Sequence, residues 1–385
     1  MKLVHQYHND RCFRYFECSI RVRSDDPSAL EWLHEFLAPA FEVEDSANHC
    51  EWSVRVVISS DWFDELQCES SRSCLNSFDC FTLDNQFTVC QGWVRHNRQR
   101  VLYDRQYQTY YIISENGRTV DFVVREQSRR YRVGLMRVIR EMATIHCLQT
   151  GRVQIHAACY GRHHRAMVLA GHRRSGKTTW LLHALQYPEH FLIANDRVFV
   201  DCNTHEPVVR GMPTIVHIRR PGLEYFPELN RRFNSRRFHH SYMIKELSIE
   251  PSAIPQPEAP SLTQIQLCNM LETTSRSSGN LAAIVLPRIN SNSVRSQMQR
   301  LAQEDAVREL RQRLFFSSAP ERLSSAFTEL DSPGVCDQDS VQVGCRQIVE
   351  MCDVFQCDLG LHAYRNRHLL DLLWSENSPT KRNAA

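Results

Sequence analysis

The chain of 385 residues is 42% hydrophobic and 23% charged, an ordinary globular composition that excludes a largely disordered chain and predicts two or three domains. Its 46 Lys and Arg against 44 Asp and Glu leave a formal charge of +2, so no global field marks a nucleic-acid binder, and nucleic acid is not expected as a partner. The N-terminal stretch MKLVHQYHNDRCFRYFECSI lacks the apolar run of a secretory signal, and no segment reaches the about 18 apolar residues of a membrane span, so a cytoplasmic location without a membrane partner is expected.

In chain order, alternation predicts a strand over 13–23, a helix over 26–37 opened by DDPS, and a strand over 51–59. Cys68, Cys74, Cys80 and Cys90 crowd one segment, but their spacings match no zinc template, and the fifteen cysteines of the chain read as reduced, mostly buried thiols. Further strands are expected over 81–90, 109–114 and 119–125, the last two joined by a hairpin turn at Asn116 and Gly117. Val133, Leu135, Met136, Ile139, Met142, Ile145 and Leu148 recur at helical spacing and predict an amphipathic helix over 131–148. The domain boundary is placed just ahead of it: a sheet-rich α+β domain over 1–127, then a second domain over 128–375. That second domain would open with the helix, hold an α/β core over 150–220 and end in a C-terminal part over 281–375.

Within the core, strands over 153–158 and 166–170, a glycine loop, a helix over 178–185 and strands over 191–194 and 198–200 alternate as an α/β unit does. Residues 230–243 are basic and aromatic, and 251–262 reads as an exposed loop. A strand over 281–286 is expected to stop at Pro287, followed by a helix over 293–315, a strand over 354–359 and a helix over 366–373. The tail over 376–385, ENSPTKRNAA, is expected to be disordered.

The glycine loop carries the chemistry. Gly171, His172, Arg173, Arg174, Ser175, Gly176, Lys177 and Thr178 fit GxxxxGK[ST], with the apolar strand AMVLA before them and the helix TTWLLHAL, including Thr179, after them. In such a loop backbone N–H groups at the helix start cradle phosphates, Lys177 reaches the β and γ oxygens, and the Thr178 hydroxyl ligates Mg²⁺. ATP and Mg²⁺ are therefore the expected cofactors. Asp196, at the end of the strand FLIA, has the chemistry to ligate the metal or to accept a hydroxyl proton. His156, on the strand ahead of the loop, reads equally as a core histidine with a satisfied ring or as a functional group.

Together the segments IHAACYGRHHRAMVLAGHRRSGKTT, LIANDRVFV and VVRGMPTIV resemble the bacterial HPr kinase/phosphorylase family, whose wider relatives include kinases of ribosomally made peptides and ATP-dependent phosphoenolpyruvate carboxykinase. The resemblance covers about residues 150–220 and implies a carboxykinase-like phosphate-loop core behind the N-terminal domain. It implies a kinase that transfers the γ-phosphoryl group to a Ser or Thr hydroxyl of a small protein or peptide, a ribosomal peptide precursor among the candidates. By position Asp196 would match the family's proton acceptor, His156 its phosphoryl-positioning histidine, and Arg210 the arginine of its Arg-Gly segment. Asn195 stands where the family has its first Asp, the loop carries Arg173 and Arg174 where small residues are usual, and Val208 stands where a second Mg²⁺ carboxylate is usual. Glu206, two residues earlier and on the same strand face by period-two geometry, is the candidate substitute. Arg231, Arg232, Arg236, Arg237, His239 and His240 read either as a hold for an acidic peptide or as a solvated surface loop. A small-molecule kinase or carboxykinase-like phosphotransferase and a nucleotide-binding regulatory protein without transfer chemistry are the competing expectations, and the oligomeric state is left open.

Overall fold

The computed structural model describes residues 9–44, 50–83, 86–128, 130–218, 220–235, 261–290, 292–293, 296–314, 326–329, 338–360 and 367–376. It is a mixed α/β protein with two large sheets, and the chain divides into two compact units. Among the described residues, those within 9–150, 326–329 and 338 form the first unit, and those within 151–235, 261–314 and 339–376 form the second.

The first unit is a nine-stranded sheet in the order β3 (Glu42–Glu44), β1 (Asn9–Tyr15), β2 (Cys18–Ser24), β4 (Trp52–Ile58), β9 (Thr119–Val124), β8 (Thr109–Ile113), β7 (Arg100–Asp104), β6 (Gln86–Val94), β5 (Asn76–Leu83). The expected strand over 13–23 is thus a hairpin of two strands, with Tyr15 opposite Cys18, because Phe16 adopts φ 51° and turns the chain. The strand expected over 81–90 likewise divides into β5 and β6. β2, β4 and β9 run parallel, linked through helices, while β9 back to β5 is an antiparallel meander. Helix α1 (Pro27–Leu37) starts where Asp26 accepts from Ser28 N at 3.1 Å and Pro27 fills the first turn, which needs no donor there. Helix α2 (Ser60–Arg72), which the pattern did not predict, is capped by Ser59.

Helix α3 (Arg130–Gln149) matches the expected amphipathic segment, but its apolar residues pack on β2, β5 and α1, so it closes the first unit instead of opening the second. The boundary therefore moves from 127 to 150. Residues 326–329, expected in the C-terminal part, also belong to the first unit: Ala326 N donates to Asp79 O and Phe327 packs on Phe81. Among the described residues no helix is long and apolar enough to cross a membrane.

The second unit is built on β10 (Val153–Arg162), whose ten residues reach three neighbours. On one edge lies β11 (Arg165–Ala170); on the other lie β12 (His190–Ala194) and β13 (Arg197–Asp201). The sheet continues through β14 (Val208–Met212), β17 (Ser278–Ile289), β19 (Asp353–Leu359) and β18 (Gln297–Arg300), and β17 also pairs with β11. A two-residue pair, β15 (Val216–His217) with β16 (Ser261–Leu262), stands apart from it.

Helices cover both faces of this sheet, so the unit is three-layered. On one face Ala158, Tyr160, Leu169 and Val285 meet α4 (Lys177–Ala184), α5 (Arg220–Leu223), α6 (Pro227–Ser235), α7 (Gln264–Leu271) and α10 (Arg367–Glu376). On the other Ile155, Ala157, Val168 and Ile284 meet α8 (Gln303–Arg311) and α9 (Gln338–Met351). Nine residues are too few for a helix to hold alone, so α8 depends on burying Ala306 and Leu310, each leucine of this kind contributing roughly 1.5–3 kcal/mol.

Two local expectations give way to tertiary pairing. β17 runs through Pro287, because β11 ends its pairing at Val285 and leaves the strand with one neighbour there, where a missing donor is tolerated. The helix expected over 293–315 shrinks to α8, because residues 297–300 pair with β19. The tail over 377–385 and the span 236–260 lie outside the described residues.

Candidate functional site

Strand register assembles the site. β10 pairs antiparallel with β11 up to Ala157 opposite Ala170, so the next step brings His156 level with Gly171, where the glycine loop begins. On its other edge β10 pairs His156 with Arg197 and Cys159 with Ala194. Those two pairings share one register, which sets Asn195 and Asp196 in line between β12 and β13. The Ala157 amide donates to the Asp196 carbonyl at 2.9 Å. His156 thus stands between the first residue of the loop and Asp196, with Nε2 3.0 Å from Asp196 Oδ1. Its side chain is 24% exposed, which is not the enclosed setting of a core histidine.

The loop leaves β11 and re-enters as α4. Gly176 sits at φ 103°, a conformation that disfavours any side chain, and a Cβ on Gly171 would lie 2.4 Å from Ser175 Oγ. His172, Arg173 and Arg174 are exposed, so the two large arginines project outward and leave the backbone path intact. Lys177 folds back under the loop and donates to Gly171 O at 2.5 Å and His172 O at 3.0 Å. Burial lowers its pKa to about 8, against the attraction of Asp196 and together with repulsion from Arg313. His172 is lowered too, by desolvation first and then by the charges of Arg313 and Lys177. Thr178 and Thr179 are half-buried on the first turn of α4.

Desolvation pushes the Asp196 carboxyl up, but the His156 hydrogen bond and the charges of His156, Arg197 and Lys177 outweigh it and hold it at about 2. With a side chain 38% exposed, Asp196 presents a permanent anion to solvent at neutral pH.

Asn195 faces the other way and is 8% exposed. Its Oδ1 accepts from Thr214 Oγ1 and Gln264 Nε2, each at 2.9 Å, while Nδ2 donates to Ile215 O at 3.2 Å. The amide therefore ties β12 to the segment before β15 and to α7, and the bond to Ile215 O is the one that needs an amide, since a carboxylate accepts but cannot donate. Asn195→Asp would set a carboxylate oxygen against the Ile215 carbonyl, and an expected loss of about 1–3 kcal/mol should be read from the urea midpoint. An unchanged midpoint would show that the hydrogen-bond hub is not what the amide is for.

The register separates the two other sequence candidates. Arg210 lies opposite Phe199, two residues along β13 from Arg197, on the face that carries His156 but one strand beyond β13, so roughly 7 Å along the strands and roughly 10 Å across them separate the two backbones. Glu206 does not reach the site. It precedes β14, which begins with Val208 opposite Asp201, at the far end of β13 from Asp196, and its carboxylate is engaged by Asn280 Nδ2. The period-two argument fails because Glu206 is in a turn and not on the strand. Arg231 and Arg232 lie on α6 and both bond Glu228, whereas Arg236, Arg237, His239 and His240 lie outside the described residues.

One residue at the site had no sequence signal. Arg313 follows α8, and its carbonyl accepts from the His156 amide at 3.1 Å. Its side chain, 14% exposed and paired with Glu309 at 2.7 Å, places a second cation within electrostatic reach of Lys177 and His172. Among the described residues no group of three or more His, Cys, Asp or Glu is placed to hold a metal. The chain matches no family model and no curated protein.

Proposed function

We propose that the chain is an ATP-dependent phosphotransferase that passes the γ-phosphoryl group to a hydroxyl, with Ser or Thr of a peptide or small protein as acceptor. The observation that carries this reading is the register that sets His156 between Gly171 and Asp196, beside a buried Lys177 whose partners are two loop carbonyls. The residues fit a nucleotide: a buried ammonium aimed into the loop, a close Gly171 turn, a helix N-terminus, and Thr178 and Asp196 as oxygen ligands for a cation.

Bound Mg²⁺ and ATP supply the transferable group and a divalent charge to offset it. The chain's own part is to bind and position. Lys177, held by the Gly171 and His172 carbonyls, and the loop amides are the groups that would hold the phosphate chain. Asp196, anionic at any working pH, accepts the hydrogen bond of the acceptor hydroxyl and orients it in line. A carboxylate held at about 2 is a weak base, so it takes the proton late, as the bond to phosphorus forms. His156 donates toward the same point, and Arg210 and Arg313 add positive charge around it.

A second reading, a nucleotide-binding regulatory protein without transfer, is favoured by Asn195, whose hydrogen bonds leave no carboxylate at that position. One experiment on the full chain addresses both. Mg²⁺ and ATP at about a hundred times Kd should stabilise the wild type by about 2.7 kcal/mol, seen as a rise in Tm, and Lys177→Ala should lose most of that rise. Equal responses from wild type and variant would sink the nucleotide reading. A full response without ADP formation, tried with Ser- and Thr-containing peptide mixtures, would favour the regulatory one.

A further inference from the structure

Away from the loop, the first unit brings two cysteines together from opposite sides of α1 in the sequence. Cys12 lies in β1, opposite Arg21 of β2 and Glu44 of β3, and is 1% exposed. Cys50 stands just ahead of β4 and is half-exposed. Their sulfurs are 3.2 Å apart, roughly 1.2 Å from a covalent S–S bond. Burial, and then the neighbouring Cys50, push the Cys12 thiol up to about 12, so Cys12 stays protonated while Cys50 is the sulfur that solvent reaches. The contrast within the same unit is Cys80 with Cys90: these two also interact, but both are buried and withheld from a dissolved oxidant.

We propose that Cys12 and Cys50 are an oxidation-sensitive dithiol, a modification site that closes to a reversible disulfide when Cys50 meets hydrogen peroxide. The Cys50 thiolate attacks the peroxide, the O–O bond breaks, and Cys50 becomes a sulfenic acid while hydroxide leaves and takes up the proton that Cys50 had released. Cys12 then attacks the sulfenic sulfur; the S–O bond breaks, the hydroxide released there takes up the Cys12 proton as a second water, and the S–S bond forms. Two thiols and one peroxide become one disulfide and two waters, with two electrons passing from sulfur to oxygen. The bond would close a ring from β1 to the start of β4 that contains β2, α1 and β3, removing freedom from the unfolded chain and fastening the approach to β4.

The test treats the folded full-length protein with hydrogen peroxide, blocks remaining thiols with N-ethylmaleimide and maps peptides by mass spectrometry. The expected product is a cross-linked peptide pair holding Cys12 and Cys50, two hydrogens lighter than the sum of its parts and released by dithiothreitol. The oxidised protein should also unfold at a Tm higher by several degrees than the reduced one. Cys50→Ser should abolish the cross-link while leaving the fold, which covers the chance that Cys12→Ser, at a buried position, does not fold. Cys50 advancing to sulfinic or sulfonic acid while Cys12 is recovered as the maleimide adduct would overturn the proposal, as would a cross-link to any other cysteine.

Discussion

Replacing Asp196 by Asn is expected to leave nucleotide affinity within about tenfold and to lower phosphoryl transfer by roughly 10²–10⁴, the range a positioned proton acceptor supplies. The substitution is nearly isosteric, and an amide can still meet the His156 ring across the 3.0 Å contact, so the fold should be retained. Isothermal titration with ATP and single-turnover transfer, measured on one preparation, read the two quantities apart. Loss of both to the same degree would make Asp196 chiefly a metal ligand. The carboxyl's depressed pKa has a consequence for the pH profile. Its ordinary value is 3.8 and its folded value about 2, so whatever stability it adds is present above the ordinary value and lost as pH falls through the folded one. A fall in rate between pH 5 and 7 must then come from another group.

His156 is the second large effect. Gln at this position keeps a donor and about the same reach but not the ring, and transfer is expected to fall by roughly 10²–10³, as when one preorganised donor is lost at a transition state. Its half-open setting and its single-step offset from Gly171 imply a Tm close to that of the wild type. A destabilised variant with normal turnover of the surviving folded protein would return His156 to a packing role.

Residues that act through their own backbone were legible in the sequence. The loop's two glycines, Lys177 and Thr178 fall within eight residues, and the apolar strand and the helix on either side are local patterns, so the glycine turn and the start of α4 could be read from eight letters. The same holds for α1, announced by Asp26 and Pro27, and for the hairpin at Asn116 and Gly117. Asp196 was visible as a strand-end acid, but its tie to His156 was not, because that contact depends on the register in which β10 pairs with β13 and with the last residue of β12.

The chain by itself determined the elements whose conformation is settled within a turn or two: caps, glycine turns, and apolar periods of two or 3.6. It did not determine which unit claims α3, since an amphipathic stripe states that a helix must be covered and not by what. Nor could it reveal that residues 297–300 extend along β19, that Pro287 is carried through β17, that Glu206 falls at the wrong end of β14, or that Arg313 brings a cation beside Lys177. Glu206 is placed by the short turn between β13 and β14, but the others are decided by pairing between segments distant in sequence, where ladder hydrogen bonds and shared apolar burial outweigh local preferences worth less than about 1 kcal/mol per residue.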